Sequence, residues 1–165
     1  MKMHKTSDNY DCELELFLNA SDKEFLKVLA DKHIRYVLIG GHAVNYYGYD
    51  RSAADLDIVI ERTSENVEKL LSALGNMRMT MPTNALEILT QPNRKMRIPL
   101  YEIDILTSIE GLQFDDIYDA RVVVELDSLQ ISMISKAHLL FMKQHSDREE
   151  DRCDFYALKK IKGGG

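Results

Sequence analysis

The 165-residue chain has few cysteines, no long apolar run and no excess of positive charge. Cys12 and Cys153 stand far apart and form no Cys-x-x-Cys spacing, which disfavours a disulfide scaffold and a zinc site. No segment approaches the roughly 18 consecutive apolar residues of a membrane helix, and residues 1–10 are too polar for a signal peptide. We therefore expect a cytoplasmic protein with no membrane partner. The net charge of -6 argues against broad coating of nucleic acid, which needs a basic surface.

The rest of the composition is that of a globular protein, with 45% apolar and 29% charged residues. The length suits one hydrophobic core. We expect an N-terminal extension over residues 1–20, a single domain over 21–162 and a flexible glycine tail over 163–165.

The first third of the chain alternates helix and strand signals. Ser21 and Glu24 have capping-box spacing, which predicts a helix over residues 22–33. The apolar run 36–39 predicts a short strand, and the glycine pair after it predicts a tight turn into a short helix.

A second strand is predicted over residues 54–60. Thr63 or Ser64 then caps a helix that is expected to end at Gly75. Residues 77–89 carry only a weak signal.

The second half of the chain predicts more strands and then two helices. A strand is expected over residues 96–106, with two shorter strands before it. The other predicted elements are one short helix and two short strands, at 114–118, 121–126 and 129–131. Two helices close the chain, the second opened by a capping box of Asp147 and Glu150. This order indicates the α/β (α+β) class.

Aspartates interrupt two of the apolar strands. Asp55 and Asp57 are two residues apart, so their side chains point to the same face of a strand. Asp104 interrupts the later strand, and its carboxylate joins the first two if the two strands are neighbours about 5 Å apart. The sequence therefore predicts that three carboxylates converge.

Such a cluster calls for a cation. At an effective dielectric constant near 20, carboxylates about 5 to 7 Å apart repel each other by roughly 2 to 3 kcal/mol per pair. Ligation by oxygen alone selects hard ions, and Mg²⁺ in particular is held by a few carboxylates together with substrate phosphates. The alternative is that these aspartates are solvated or edge-strand charges that discourage aggregation.

A glycine pair precedes the first two aspartates. Gly40 and Gly41 open a short helix, and the free N–H groups at a helix start can hold a phosphate. Together with the aspartates, they predict a bound magnesium nucleotide.

These residues resemble a known pattern. The matching positions are Gly40-Gly41-His42-Ala43-Val44, Gly48, Arg51, Asp55-Leu56-Asp57, Asp104, Lys143, Arg148, Asp151, Asp154 and Leu158. The pattern is similar to that of the nucleotidyltransferase-fold superfamily, the DNA polymerase β-like group that includes small bacterial antibiotic and toxin nucleotidyltransferases. The likeness covers about residues 22–160. It departs at Ala53, where members often have Thr, and at Glu150, where a basic residue is usual.

The resemblance implies a mixed sheet flanked by helices, with further helices at the C-terminus. It also implies transfer of a nucleoside monophosphate from a nucleoside triphosphate to an acceptor hydroxyl, with release of pyrophosphate. Gly40 and Gly41 would hold the triphosphate, while Asp55, Asp57 and Asp104 would be catalytic and bind two Mg²⁺ ions, with Mn²⁺ as an alternative. The acceptor would be a small molecule, a tRNA end or a protein hydroxyl.

Some basic residues have both a functional and a structural interpretation. Arg51 and Lys143 are candidates for binding the nucleotide phosphates, although a solvated position on a helix also suits Lys143. The basic segment 94–97 could guide a phosphate or be a solvated loop. The spacing of Arg148, Asp151 and Asp154 favours pairing within their own helix.

Two other functions stay open at this stage. The first is a nucleotide-binding module without turnover, such as a toxin-antitoxin component with a protein partner. The second is a purely structural interaction domain that exposes Tyr46, Tyr47 and Tyr49 as a contact patch.

Overall fold

The computed structural model describes residues 18–162, which contain seven α-helices and six β-strands. The helices are α1 (Ala20–Asp31), α2 (Gly40–Tyr46), α3 (Ser64–Asn76), α4 (Ala85–Thr90), α5 (Phe114–Asp119), α6 (Lys136–Gln144) and α7 (Glu149–Lys160). The strands are β1 (Tyr36–Ile39), β2 (Leu56–Ile60), β3 (Lys95–Ile98), β4 (Ile103–Leu106), β5 (Val122–Leu126) and β6 (Leu129–Met133). Cys12, most of the predicted extension over 1–20 and the predicted tail over 163–165 lie outside the described residues.

The strands form one mixed sheet in the order β3-β4-β2-β1-β6-β5. β2 runs parallel to β4 and antiparallel to β1, whereas β1 runs parallel to β6. The outer strands β3 and β5 are antiparallel to their neighbours. The predicted mixed sheet with flanking helices is therefore confirmed.

The central strands are buried because their residues are apolar. All four residues of β1 are buried, and in β2 only Asp57 is partly exposed. Helices pack near the sheet, with α1 against β6 and α2 against β1 and β2. Among residues 18–162, no helix is both long enough and apolar enough to span a bilayer.

The tyrosines at the end of α2 and just after it belong to this core rather than to a contact patch. Tyr47 is buried, and its hydroxyl donates a hydrogen bond to the carbonyl oxygen of Ile134 at 2.6 Å. Tyr46 and Tyr49 are partly buried and pack against the same core. The hypothesis of an exposed tyrosine surface is therefore wrong.

The first helix begins earlier than the sequence pattern predicted. Its capping box is formed by Asn19 and Asp22, not by Ser21 and Glu24. The Asn19 side chain accepts a hydrogen bond from the Asp22 N–H at 2.8 Å. Starting here lets the helix follow directly on Leu18, which is part of the hydrophobic core.

The long strand predicted over residues 96–106 is two strands. Pro99 lacks an N–H group, so it ends β3, and a 3₁₀ turn over Pro99–Tyr101 leads into β4. The two shorter strands expected before residue 96 are not present; α4 occupies part of that segment instead. The predicted end of α3 at Gly75 is wrong by one residue, since Asn76 is still helical.

The second half of the chain follows the remaining predictions closely. The predicted short helix is α5, the two short strands are β5 and β6, and the two closing helices are α6 and α7. The capping box of Asp147 and Glu150 is wrong, because the N-cap is Arg148 and makes no side-chain cap. Glu150 contacts arginine side chains instead.

Candidate active site

The glycine pair makes a tight turn directly after β1. Gly40 has φ +73°, a left-handed conformation that side chains disfavour. A Cβ atom at Gly40 would lie 2.9 Å from Cβ of Asp57 and would overlap with its carboxylate. At Gly41, a Cβ atom would lie 2.9 Å from Cβ of Ala53. Only glycine lets the turn approach the aspartate this closely.

The predicted meeting of the aspartate strands is confirmed. Because β2 and β4 pair in parallel, Asp57 and Asp104 are direct neighbours in register. Asp55 precedes β2 and does not belong to it, since the strand begins at Leu56 and not at residue 54 as predicted. All three aspartates nevertheless line the same cleft.

Two cations from β3 contact this group. The Arg97 guanidinium donates to both carboxylate oxygens of Asp104, at 3.1 and 3.2 Å, and to Asp55 at 3.1 Å. The Lys95 ammonium lies 2.7 Å from Asp104 Oδ2. The solvated-loop interpretation of the basic segment is therefore wrong for these two residues. Sequence analysis missed their role because only the antiparallel pairing of β3 with β4 places Arg97 beside Asp104.

Asp57 differs from the other two aspartates because its carboxylate has no hydrogen-bond or ion-pair partner among residues 18–162. Burial, with a smaller contribution from the Asp104 charge, raises the pKa of Asp57 to about 6. In contrast, the hydrogen bond from Arg97 lowers the pKa of Asp55 below its usual value. The site thus holds one uncompensated carboxylate beside two that the protein's own cations neutralise.

The cleft around these residues has a volume of about 410 Å³, within the size range of ligand sites. Its charged lining contains cations and carboxylates in equal number: Arg51, Lys95, Arg97, Lys143 and Arg148 against Asp55, Asp57, Asp104, Glu150 and Asp151. The glycine turn and residues 52–54 complete the lining. All seven residues that the sequence predicted for the site therefore reach one cleft.

Lys143 is buried and ion-paired, so its predicted solvated position on a helix surface is wrong. Its ammonium donates to Asp151 at 2.7 Å and lies 2.9 Å from Asp154. The expectation that Asp151 and Asp154 pair with Arg148 in their own helix is also wrong, because they reach across to α6. Burial alone would raise the pKa of Asp151, but hydrogen bonds from Lys143 and Ser146 bring it below its usual value.

His42 lies next to the glycine turn but is fully buried. Burial, together with the nearby Arg51 charge, lowers the pKa of His42, which favours the neutral imidazole. Its ring is not part of the cleft lining, so it is not placed to contact a ligand there.

The donor set of the cleft fits a hard cation that arrives with phosphates. Within residues 18–162, no three histidine, cysteine or carboxylate side chains are grouped so that they could hold a metal ion by themselves. Mg²⁺ needs only one or two carboxylates when substrate phosphates and water supply its other ligands. Asp57 meets that smaller requirement as it stands, and Asp104 would join it once Arg97 and Lys95 release its carboxylate.

Comparison with known proteins gives structural matches only. No family model matches the chain, and no curated protein matches it in sequence. The lincosamide antibiotic adenylyltransferase LnuA, in its lincomycin-bound crystal structure, matches with a TM-score of 0.58 and 18% identity, over 87% of this chain and 98% of that chain. An antigenic nucleotidyltransferase-like protein from Paracoccidioides brasiliensis matches with a TM-score of 0.58 and 19% identity, over 88% of this chain and 75% of that chain. At these identities the likeness concerns the fold alone, and it confirms the fold that the sequence pattern predicted.

Proposed function

We propose that this chain, which has the nucleotidyltransferase fold, is a Mg²⁺-dependent nucleotidyltransferase. The observation that carries the proposal is the register of Asp57 with Asp104 directly beside the Gly40 turn. It places the Asp57 carboxylate, which has no cation bound directly to it, against the backbone of the glycine turn. A magnesium nucleotide supplies both the cation for the carboxylates and the phosphates for the turn.

In the proposed reaction, an acceptor oxygen forms a bond to the α-phosphorus of a nucleoside triphosphate. The bond from that phosphorus to the bridging oxygen breaks, and pyrophosphate leaves with the electron pair. In this proposal Gly40, Gly41 and Arg51 hold the phosphates, and Lys143, also expected from the sequence to bind nucleotide, lines the same cleft. Bound Mg²⁺, or Mn²⁺ in its place, would neutralise charge on the phosphate oxygens.

The acceptor hydroxyl must lose a proton during this step. Asp104 would accept it only if Arg97 moved, because both of its oxygens already accept hydrogen bonds from Arg97. Asp57 has no such partner, so it is the carboxylate most available to bind Mg²⁺. We therefore assign metal binding to Asp57, with Asp104 as a second ligand and as the proton acceptor once Arg97 releases it. A second metal ion would require Asp55 to leave Arg97.

Three acceptor classes suit the open cleft: a small molecule such as an antibiotic, a tRNA end and a protein hydroxyl. The likeness to a lincosamide adenylyltransferase supports testing the first class before the others. A protein partner would be needed only for the last class or for a toxin-antitoxin pair.

A nucleotide-binding module without turnover is the second candidate. It is favoured by the cations that already neutralise Asp55 and Asp104, and by Ala53, which offers no hydroxyl where related proteins often have Thr. Such a module would bind magnesium nucleotides and release no pyrophosphate.

The test is to titrate ATP, GTP, CTP and UTP with and without Mg²⁺ by calorimetry, and then to measure pyrophosphate release with each acceptor class. Asp57→Asn and Asp104→Asn are expected to abolish release. Asp119→Asn, an exposed aspartate on α5 outside the cleft, is the matched control and should retain it. Mg²⁺-dependent binding without release across all acceptors would favour the module, and no nucleotide binding at all would reject both candidates.

A further inference from the structure

The guanidinium of Arg51 is held on two of its three nitrogens. Nη1 donates to the carbonyl oxygen of Ser52 at 2.9 Å and to Glu150 at 2.8 Å. Nε lies 2.9 Å from Asp154 Oδ1, a charge contact rather than an aligned hydrogen bond. The Arg51 backbone is also fixed, because its N–H donates to the Asn45 side chain at 3.0 Å. Little freedom is left to this arginine.

The third nitrogen, Nη2, faces the glycine turn. A Cβ atom at Gly41 would lie 3.3 Å from it. Nη2 makes no hydrogen bond within residues 18–162, although a guanidinium carries two N–H donors on this atom. The free end of the arginine fork is therefore presented to the cleft.

The buried end of this arrangement is a cluster of charges between α6 and α7. The Asp154 side chain is 1% exposed and lies between Arg51 and Lys143, whose side chain is 7% exposed. Lys143 also contacts Asp151 at 2.7 Å, and Ser146 donates to Asp151 at 2.6 Å. Arg51 and Lys143 thus face the buried carboxylates of Asp151 and Asp154, and the more exposed Glu150 is a further partner of Arg51.

A buried ion cluster of this kind is weak as a stabilising device, because well-packed apolar residues often serve as well. Its specific effect is to fix the position of a charge. Asp154 holds Nε of Arg51 while Ser52 and Glu150 hold Nη1, and together these contacts leave Nη2 beside Gly41. The cluster thereby couples the two C-terminal helices to the glycine turn.

We propose that Asp154 and Lys143 are positioning residues for the phosphate chain of the nucleotide, acting through Arg51. They hold Nη2 where it donates a charge-assisted hydrogen bond to a phosphate oxygen beside Gly41. The inference rests on the proposed binding of the triphosphate at the glycine turn. It gives the C-terminal helices a direct part in nucleotide affinity.

The test uses the magnesium salt of tripolyphosphate as the ligand, so that it depends neither on the preferred base nor on turnover. Calorimetry at fixed ionic strength would compare the wild-type chain with Arg51→Gln, Asp154→Asn and the double variant. Each single substitution is expected to weaken binding about tenfold, and the double variant should bind no more weakly than Arg51→Gln alone. This lack of additivity distinguishes positioning through Arg51 from a general loss of stability.

Glu61→Gln is the matched control for stability. It removes one of the two carboxylate partners of Arg35, at the other end of β2 and outside the cleft. It should lower the melting temperature without changing tripolyphosphate affinity. If Asp154→Asn does not fold, the pair Lys143→Met with Asp154→Asn keeps the cluster balanced, because Arg51 and Asp151 remain. That pair should also bind about tenfold more weakly.

Three results would overturn the inference: unchanged affinity in folded Asp154→Asn, additive losses in the double variant, or no binding of tripolyphosphate to the wild-type chain. None of these is the result that rejects the nucleotidyltransferase proposal, which depends on binding of nucleotides and on pyrophosphate release. The two failures are therefore distinguishable.

Discussion

Replacing Asp57 with Asn should stabilise the protein while removing its proposed activity. The pKa of Asp57 rises from its usual 3.8 to about 6 because the carboxylate is buried beside Asp104. A difference of about two pKa units corresponds to about 3 kcal/mol of unfolding free energy. This energy is the cost of keeping a charged carboxylate at this position when no cation is bound.

The sign follows from proton binding. Between pH 3.8 and about 6, the folded state binds more protons at Asp57 than the unfolded state does, so the unfolding free energy decreases as the pH rises through this window. The full cost is present above about pH 6 and is absent below pH 3.8. Because Asn carries no charge, Asp57→Asn should be more stable than the wild type by up to about 3 kcal/mol at pH 7.5, and the difference should shrink towards pH 4.

Urea unfolding followed by circular dichroism at pH 7.5 and at pH 4 would measure both differences without bound ligand. Asp55→Asn is the matched control with the opposite sign. Arg97 lowers the pKa of Asp55, so its ionised form stabilises the fold above the usual pKa, and this contribution is lost as the pH falls. If Asp57→Asn is no more stable than the wild type at pH 7.5, the carboxylate is not under the electrostatic strain described above.

Three further substitutions test separate parts of the structure. Gly40→Ala forces a side chain into a left-handed conformation against Asp57. In urea titrations, the unfolding free energy should fall by about 1 to 3 kcal/mol or more. A variant as stable as the wild type would contradict the close approach of the turn to Asp57. Arg97→Gln removes one of the two cations that contact the Asp104 carboxylate and leaves Lys95. MnCl₂ alone should therefore raise the melting temperature of this variant more than that of the wild type. Equal shifts would exclude competition between Arg97 and a metal ion. Asn66→Ala removes a buried side chain that forms hydrogen bonds with the backbone N–H and carbonyl groups of Arg35. The unfolding free energy in the same urea assay should fall by about 3 kcal/mol. A decrease below about 1 kcal/mol would show that water replaces these hydrogen bonds.

Local patterns were enough to predict most helices and strands, the aspartates of the site and the glycine turn beside them. These patterns are short-range features, and each follows from the conformation of a few consecutive residues. They are the spacing of Asp55 and Asp57, the glycine pair and the apolar runs around them. Predictions failed where two local patterns competed. Ser21 with Glu24 and Asn19 with Asp22 both have the spacing of a capping box, and only the position of the helix on the core selects between them.

The charges around the site could not be paired from the sequence. Arg97 and Asp104 become neighbours through the register of β3 on β4, and Lys143 becomes buried because α7 packs on α6. A helix periodicity indicates which residues share a face, but it does not indicate which other element covers that face.

The sequence by itself therefore determined the fold class, the glycine turn and seven of the residues that line the cleft, because these depend on side-chain alternation and on backbone conformations that few residues adopt. Only the tertiary structure decided which carboxylates are neutralised by the protein's own cations and which one, Asp57, is left without a partner. The physical reason is that electrostatic interaction depends on distance and burial, and both are set by contacts between elements that lie far apart along the chain.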